Sequence, residues 1–81
     1  MVVFLYTRPG CHLCDEARDE LEAMRSELPE FELREIDIER DDELLKRLLE
    51  RIPVIEVDGE VVCELFLDPD RVRARMGTLT A

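Results

Sequence analysis

Two cysteines three positions apart, Cys11 and Cys14, are the side chains of this sequence best suited to covalent chemistry. They lie in Arg8-Pro-Gly-Cys-His-Leu-Cys-Asp15, where an apolar run gives way to an amphipathic one. On a helix, that spacing puts both thiols on one face, within reach of a disulfide that opens and closes with little backbone movement. A helix N-terminus also offers unpaired N–H groups and the positive end of the helix dipole, which favour thiolate over thiol. Cys11, at or just before the first turn, is therefore the expected nucleophile toward a substrate disulfide, and Cys14 the thiol that resolves the mixed disulfide. Arg8 adds positive potential three residues upstream. Asp15 and Glu16 would oppose it if turned inward, and they are expected to face solvent. His12 is either a group that tunes the pair and contacts substrate or an exposed spacer.

Other chemistries fit this segment less well. Cys11, His12, Cys14 and Cys63 are four candidate metal ligands, but His12 directly follows Cys11 and cannot easily turn onto the ion that both thiols would hold. The second cysteine pair that usually completes a C-x-x-C zinc site is absent, so no metal ligands are assigned. A metal or iron–sulfur carrier remains the alternative to redox chemistry. Cysteine-hydrolase catalysis needs a histidine brought to the thiol by the fold, and the one histidine is the chain neighbour of Cys11. Cys63 alternates with Val61 and Leu65 and reads as a small buried hydrophobe, with an auxiliary disulfide as the other reading.

The elements that must position the pair follow from periodicity. Val2 to Tyr6 is a continuous apolar run stopped by Arg8-Pro-Gly10, the pattern of a strand covered on both faces. Leu13, Ala17, Leu21, Met24 and Leu28 then recur at helical spacing, up to a stop near Pro29. Phe31 to Ile38 reads as a second strand whose apolar positions change phase between Leu33 and Ile36, which predicts a bulge or an uncertain register. Asp41 is placed to cap a second helix with Leu44, Leu45, Leu48 and Leu49 as its buried stripe; Lys46, Arg47 and Arg51 lie toward its C-terminal end, and Pro53 stops it. Val54–Val57 and Glu60–Leu65 flank Asp58-Gly59, the signature of a type I′ hairpin. Asp68-Pro69 opens a last helix, with Leu67 and Val72 as its staple and Gly77 as its stop. The order is β-α-β-α-β-β-α. A right-handed parallel crossover opens it and an antiparallel hairpin extends the same sheet, so the sheet is mixed.

Composition bounds what such a fold can meet. The 81 residues make one domain, 1–81, too short to divide, with 46% hydrophobic and 40% charged residues. Eleven basic against 21 acidic side chains leave a net charge of −10, which repels nucleic acid and anionic membranes alike. Met1 to Tyr6 is too short for the apolar region of an export signal and carries no basic leader, and no run reaches spanning length. Three cysteines do not make a set of structural disulfides, so a reducing cytoplasm is expected, and a monomer is the default for a domain this small.

Phe4-Leu-Tyr-Thr-Arg-Pro-Gly-Cys-His-Leu-Cys14, Ile52-Pro-Val-Ile55 and Val57-Asp-Gly59 resemble the glutaredoxin family in order and spacing over nearly the whole chain. Within it, the resemblance is to a branch whose active-site segment reads Cys-x-Leu-Cys-Asp. It implies an α/β thioredoxin-like fold, with a four-stranded mixed sheet and helices on both faces, and a thiol-disulfide oxidoreductase activity in electron transport and cell redox homeostasis. The activity would reduce protein disulfides or glutathione mixed disulfides, serving many substrates or as a dedicated electron donor to one partner. It further implies a cis peptide at Ile52-Pro53 beside the cysteine pair, with the Ile52 backbone pairing to a bound mixed disulfide. Arg8 takes the place of a basic residue that holds the glycyl carboxylate of glutathione. No tightly bound cofactor is implied; glutathione is a candidate co-substrate, and glutathione or a reductase would supply electrons. After the last strand, members that bind glutathione carry Gly-Gly and an acidic residue. Here the stretch is Val62-Cys-Glu-Leu-Phe-Leu-Asp68, which lacks the glycine pair and leaves Asp68 as a helix cap.

Overall fold

Strand β1 (Val2–Thr7) runs through the middle of the sheet and presents Val3 and Leu5 to one face and Phe4 and Tyr6 to the other. The computed structural model describes residues 1–77, so the last four residues of the predicted 1–81 domain lie outside the described residues. β1 is followed by α1 (His12–Ala23), β2 (Glu32–Asp37), α2 (Asp42–Leu48), β3 (Val54–Val57), β4 (Glu60–Glu64) and α3 (Pro69–Met76). The sheet order is β2-β1-β3-β4, with β1 and β2 parallel and the other two pairings antiparallel. The mixed α/β architecture is the one expected.

Two cores hold the layers. Val3, Leu5, Ile55, Val57 and Cys63 meet Ala17 and Leu21 of α1 and Val72 and Met76 of α3 on one side of the sheet. On the other side, Val54 and Tyr6 meet Ile38 and α2 through Leu44, Leu45 and Leu48, with Ile52 packed against them. Local signals close the ends of these elements. Asp41 accepts from the N–H groups of Glu43 and Leu44, and Asp68 from that of Asp70. Leu67 and Val72 are buried as the staple of α3, and Gly77 ends it at φ 81°. Asp58 and Gly59 turn the hairpin with φ of 49° and 87°, as a type I′ turn requires. The turn is tied to β1 in both directions: the Val2 N–H donates to Asp58 Oδ1, and the Asp58 N–H to the Val2 carbonyl.

Several expectations need correction. Leu13 does not join the α1 stripe; it is 53% exposed, while Cys14 is 1% exposed and fills that place. The α-helix itself ends at Ala23, ahead of Pro29, and a short 3₁₀ turn (Met24–Ser26) carries Met24 into the core. No bulge interrupts β2, whose register with β1 is unbroken from Val2↔Glu32 to Thr7↔Asp37. The change of phase leaves the two apolar side chains on opposite faces of this edge strand: Leu33, opposite Val3, packs against the α1-side core, whereas Ile36, opposite Tyr6, is half-buried on the other face. Leu49 lies past the end of α2 and is exposed. The bulge is instead in β4, where Ile55 pairs with Cys63 but Glu56 pairs with Val61, leaving Val62 as the extra residue. That insertion breaks the alternation expected of Val61 and Cys63, so that Cys63 turns inward while Val61 is exposed; Leu65 lies past the end of β4, at φ 71°, and is exposed too.

A candidate thiol-disulfide site

The turn after β1 delivers Cys11 to the head of α1. Gly10, at φ 79°, supplies a backbone conformation that a side chain would disfavour. Cys11 caps the helix in an extended conformation, and its N–H donates to the Arg8 carbonyl at 3.3 Å. The Cys11 sulfur takes the part that a serine or aspartate oxygen plays at most N-caps, accepting the Cys14 backbone N–H at 3.2 Å. This contact places an orphan helix donor on the sulfur expected to be nucleophilic, which is the interaction that favours a thiolate. Cys11 and Cys14 are joined in a disulfide, with Cα atoms 5.3 Å apart. Cys11 is partly exposed and Cys14 buried, so an incoming partner meets Cys11 first.

The other residues singled out by sequence are placed as follows. Asp15 and Glu16 face solvent, and Asp15 pairs with Arg18. His12, the first residue of α1, is exposed. The Arg8 guanidinium lies 2.9 Å from the Glu39 carboxylate, so its charge is balanced rather than left free beside Cys11. The Ile52–Pro53 peptide is cis and Pro53 is fully buried. Ile52 is half-buried, and its N–H donates to the Leu48 carbonyl at 3.0 Å. Among the described residues, no three His, Cys, Asp or Glu side chains converge as a group able to hold a metal ion.

Cys63 takes no part in the disulfide. It is 3% exposed, and its sulfur accepts the Asp68 N–H at 3.4 Å, at the cap of α3. Burial pushes its pKa up, with the Asp68 backbone contact working the other way. Sequence reasoning missed Phe66, which is 63% exposed beside the head of α1 and shares a surface notch with Leu13. Its signal was available in Leu65-Phe66-Leu67, three apolar residues in a row where the staple of α3 needs only Leu67.

Set against known proteins, the sequence matches the profile of the Glutaredoxin-like domain (DUF836) over residues 2–77. The chain belongs to this glutaredoxin-like family. It is similar to the glutaredoxin-like protein YDR286C homolog of Dictyostelium discoideum, 27% identical over 79 residues that cover 91% of this chain and 73% of that one. Among solved structures it is similar to protein Ne2328 of Nitrosomonas europaea, with a TM-score of 0.82 and 31% identity over 93% of this chain and 89% of that one. Protein XcR50 of X. campestris superimposes with a TM-score of 0.71, at 31% identity over 90% of this chain and 92% of that one. A glutaredoxin-like chain with a paired Cys11 and Cys14 fits a thioredoxin-like redox protein. No helix among the described residues is long and apolar enough to cross a membrane.

Proposed function

We propose that this glutaredoxin-like protein is a thiol-disulfide oxidoreductase working by a dithiol mechanism, with Cys11 as nucleophile and Cys14 as resolving thiol. The observation that carries this reading is the helix cap: an accessible Cys11 sulfur holding the Cys14 N–H, with a second sulfur one turn inside. The Cys11 thiolate attacks one sulfur of a partner disulfide; that S–S bond breaks, a Cys11–partner disulfide forms, and the released partner thiolate takes up a proton. Cys14, deprotonated, attacks the Cys11 sulfur, closes the 11–14 disulfide and frees the second partner thiol. Two electrons have passed from protein to partner, and a dithiol, two glutathione molecules or a reductase returns them.

The partners are protein disulfides or glutathione mixed disulfides in a reducing cytoplasm, met by a monomer with no resident cofactor and no affinity for nucleic acid or membranes. With the Ile52 N–H held by Leu48, pairing of a bound mixed-disulfide backbone at this position falls to the Ile52 carbonyl. Arg8 contributes to a carboxylate contact only by exchanging its partner, Glu39. His12 lines the approach to Cys11 as an exposed neighbour.

Intact mass of the Cys14→Ser variant after incubation with oxidised glutathione, and separately with a peptide disulfide, tests the assignment. A single covalent adduct on Cys11 that dithiothreitol removes is expected from at least one of the two. Adducts on Cys63, or none from either, would sink the proposed division of labour.

A further inference from the structure

Leu13 has the spacing of a core residue and yet stands in solvent, and it is not alone there. Leu65 and Phe66, in the loop between β4 and α3, are 53% and 63% exposed. The loop is held in that posture. Leu65 sits at φ 71°, a left-handed conformation that costs a branched side chain of this size about 1 kcal/mol or more. Its N–H is bound to the carbonyls of Arg51 and Pro53, each at 3.0 Å. The backbone that carries Phe66 is thus anchored to the segment containing Pro53. Phe66 walls two depressions: a notch of about 80 Å³ running down α1 from Leu13, and a groove of about 310 Å³ beside β4.

Charge around this apolar ridge has one sign where it meets the disulfide helix. Glu16 and Glu20 line the notch with Leu13 and Phe66. Neither carboxylate has an ion-pair partner among the described residues, whereas Asp15 and Asp19 of the same helix both pair with Arg18. The groove beyond Phe66 differs: its two carboxylates are both paired, Glu64 with Arg51 and Asp68 with Arg71 at 3.9 Å, so the unpaired charge lies on the notch side. An exposed aromatic and leucine beside unpaired carboxylates, starting between the two redox cysteines, is a surface for a ligand both apolar and cationic. Glutathione is neither, because it carries two carboxylates against one ammonium and has no large apolar side chain. The notch is too small for a cofactor and suits one side chain.

We infer that Leu13 and Phe66, rimmed by Glu16 and Glu20, form a docking ridge for a polypeptide segment whose disulfide cysteine is flanked by a bulky apolar residue and by lysine or arginine. The inference rests on the oxidoreductase reading and adds to it the substrate class. The apolar neighbour of the substrate cysteine seats against Phe66 and Leu13, its basic neighbour faces Glu16 and Glu20, and the cysteine is carried to Cys11, whose attack then proceeds as above.

The test measures reduction of three disulfides by the reduced full-length protein: hydroxyethyl disulfide, and two synthetic peptides alike except that Leu-Arg or Ser-Glu flanks the disulfide cysteine. The Leu-Arg peptide is expected to react about tenfold or more faster than the Ser-Glu peptide at low salt, with the gap narrowing as salt screens the charges. Phe66→Ser should lower the ratio of the Leu-Arg rate to the hydroxyethyl disulfide rate about fivefold to tenfold. Glu16→Lys with Glu20→Lys should narrow the gap between the two peptides at low salt. Equal peptide rates, or rate ratios untouched by both variants while hydroxyethyl disulfide is still reduced, would overturn the docking ridge and leave the oxidoreductase reading standing. Failure to reduce any of the three would overturn both.

Discussion

Cys14 and Cys63 are both almost fully enclosed, at 1% and 3% exposure, yet the fold gives them different neighbours. Cys14 lies in the first turn of α1, bonded through sulfur to a partly exposed partner that holds its own N–H. Cys63 lies in the sheet layer of the larger core, its sulfur accepting one N–H from the start of α3. Burial therefore does not separate a cysteine held in the disulfide from a free one. Neighbours do: an exposed sulfur three residues away and the head of a helix in one case, apolar side chains and a raised pKa in the other.

The sharpest way to break this contrast is to remove one sulfur from each setting. Cys11→Ser should bring disulfide reduction down to the uncatalysed level, because no other accessible sulfur stands at the helix head. Cys63→Val should leave that rate within about twofold and cost about 1 kcal/mol of stability in urea unfolding, through the lost acceptor for the Asp68 N–H. A Cys63→Val variant without redox activity would show that the third thiol belongs to the site.

Alkylation sharpens the comparison further. When the reduced protein meets iodoacetamide near neutral pH, Cys11 should be labelled first and Cys63 at least about tenfold more slowly until denaturant is added, as peptide mapping would show. The smallest effect is one of pH. A thiol whose pKa is raised by folding keeps its proton while the unfolded chain loses it, so stability is complete below the unfolded pKa and falls as pH climbs toward the folded one. Urea midpoints should accordingly drop between mildly and strongly alkaline pH, and Cys63→Val should flatten part of that drop. Tyr6, raised by burial and by Glu56, adds to the drop at higher pH.

What the sequence disclosed was mostly local. The Asp58-Gly59 turn, the Asp68-Pro69 cap and the C-x-x-C pair at a strand-to-helix junction each carry their cause within a few residues. The misreadings have non-local causes. Leu13 and Cys14 fit the stripe of Ala17 and Leu21 equally well by spacing, and the strand-to-helix turn decides which enters the core. Val61 and Val62 are both apolar, so nothing in the chain marks which one the bulge in β4 expels. Glu39, which takes up Arg8, is far along the sequence and becomes its neighbour only because β1 and β2 run parallel. Phe66 stands between an exposed Leu65 and a buried Leu67, and the Leu65 backbone is anchored to Arg51 and Pro53, residues outside its own segment.

The central claim is that Cys11 and Cys14 cycle between dithiol and disulfide while Cys63 stays out of the exchange. Its most direct test is a redox titration of the purified protein in glutathione buffers, with free thiols counted by intact mass at each ratio. One reversible transition is expected, in which a pair of thiols is lost together and the remaining one, mapped to Cys63, stays free throughout. No closure of the pair over the whole range, or closure that consumes Cys63, would contradict the account.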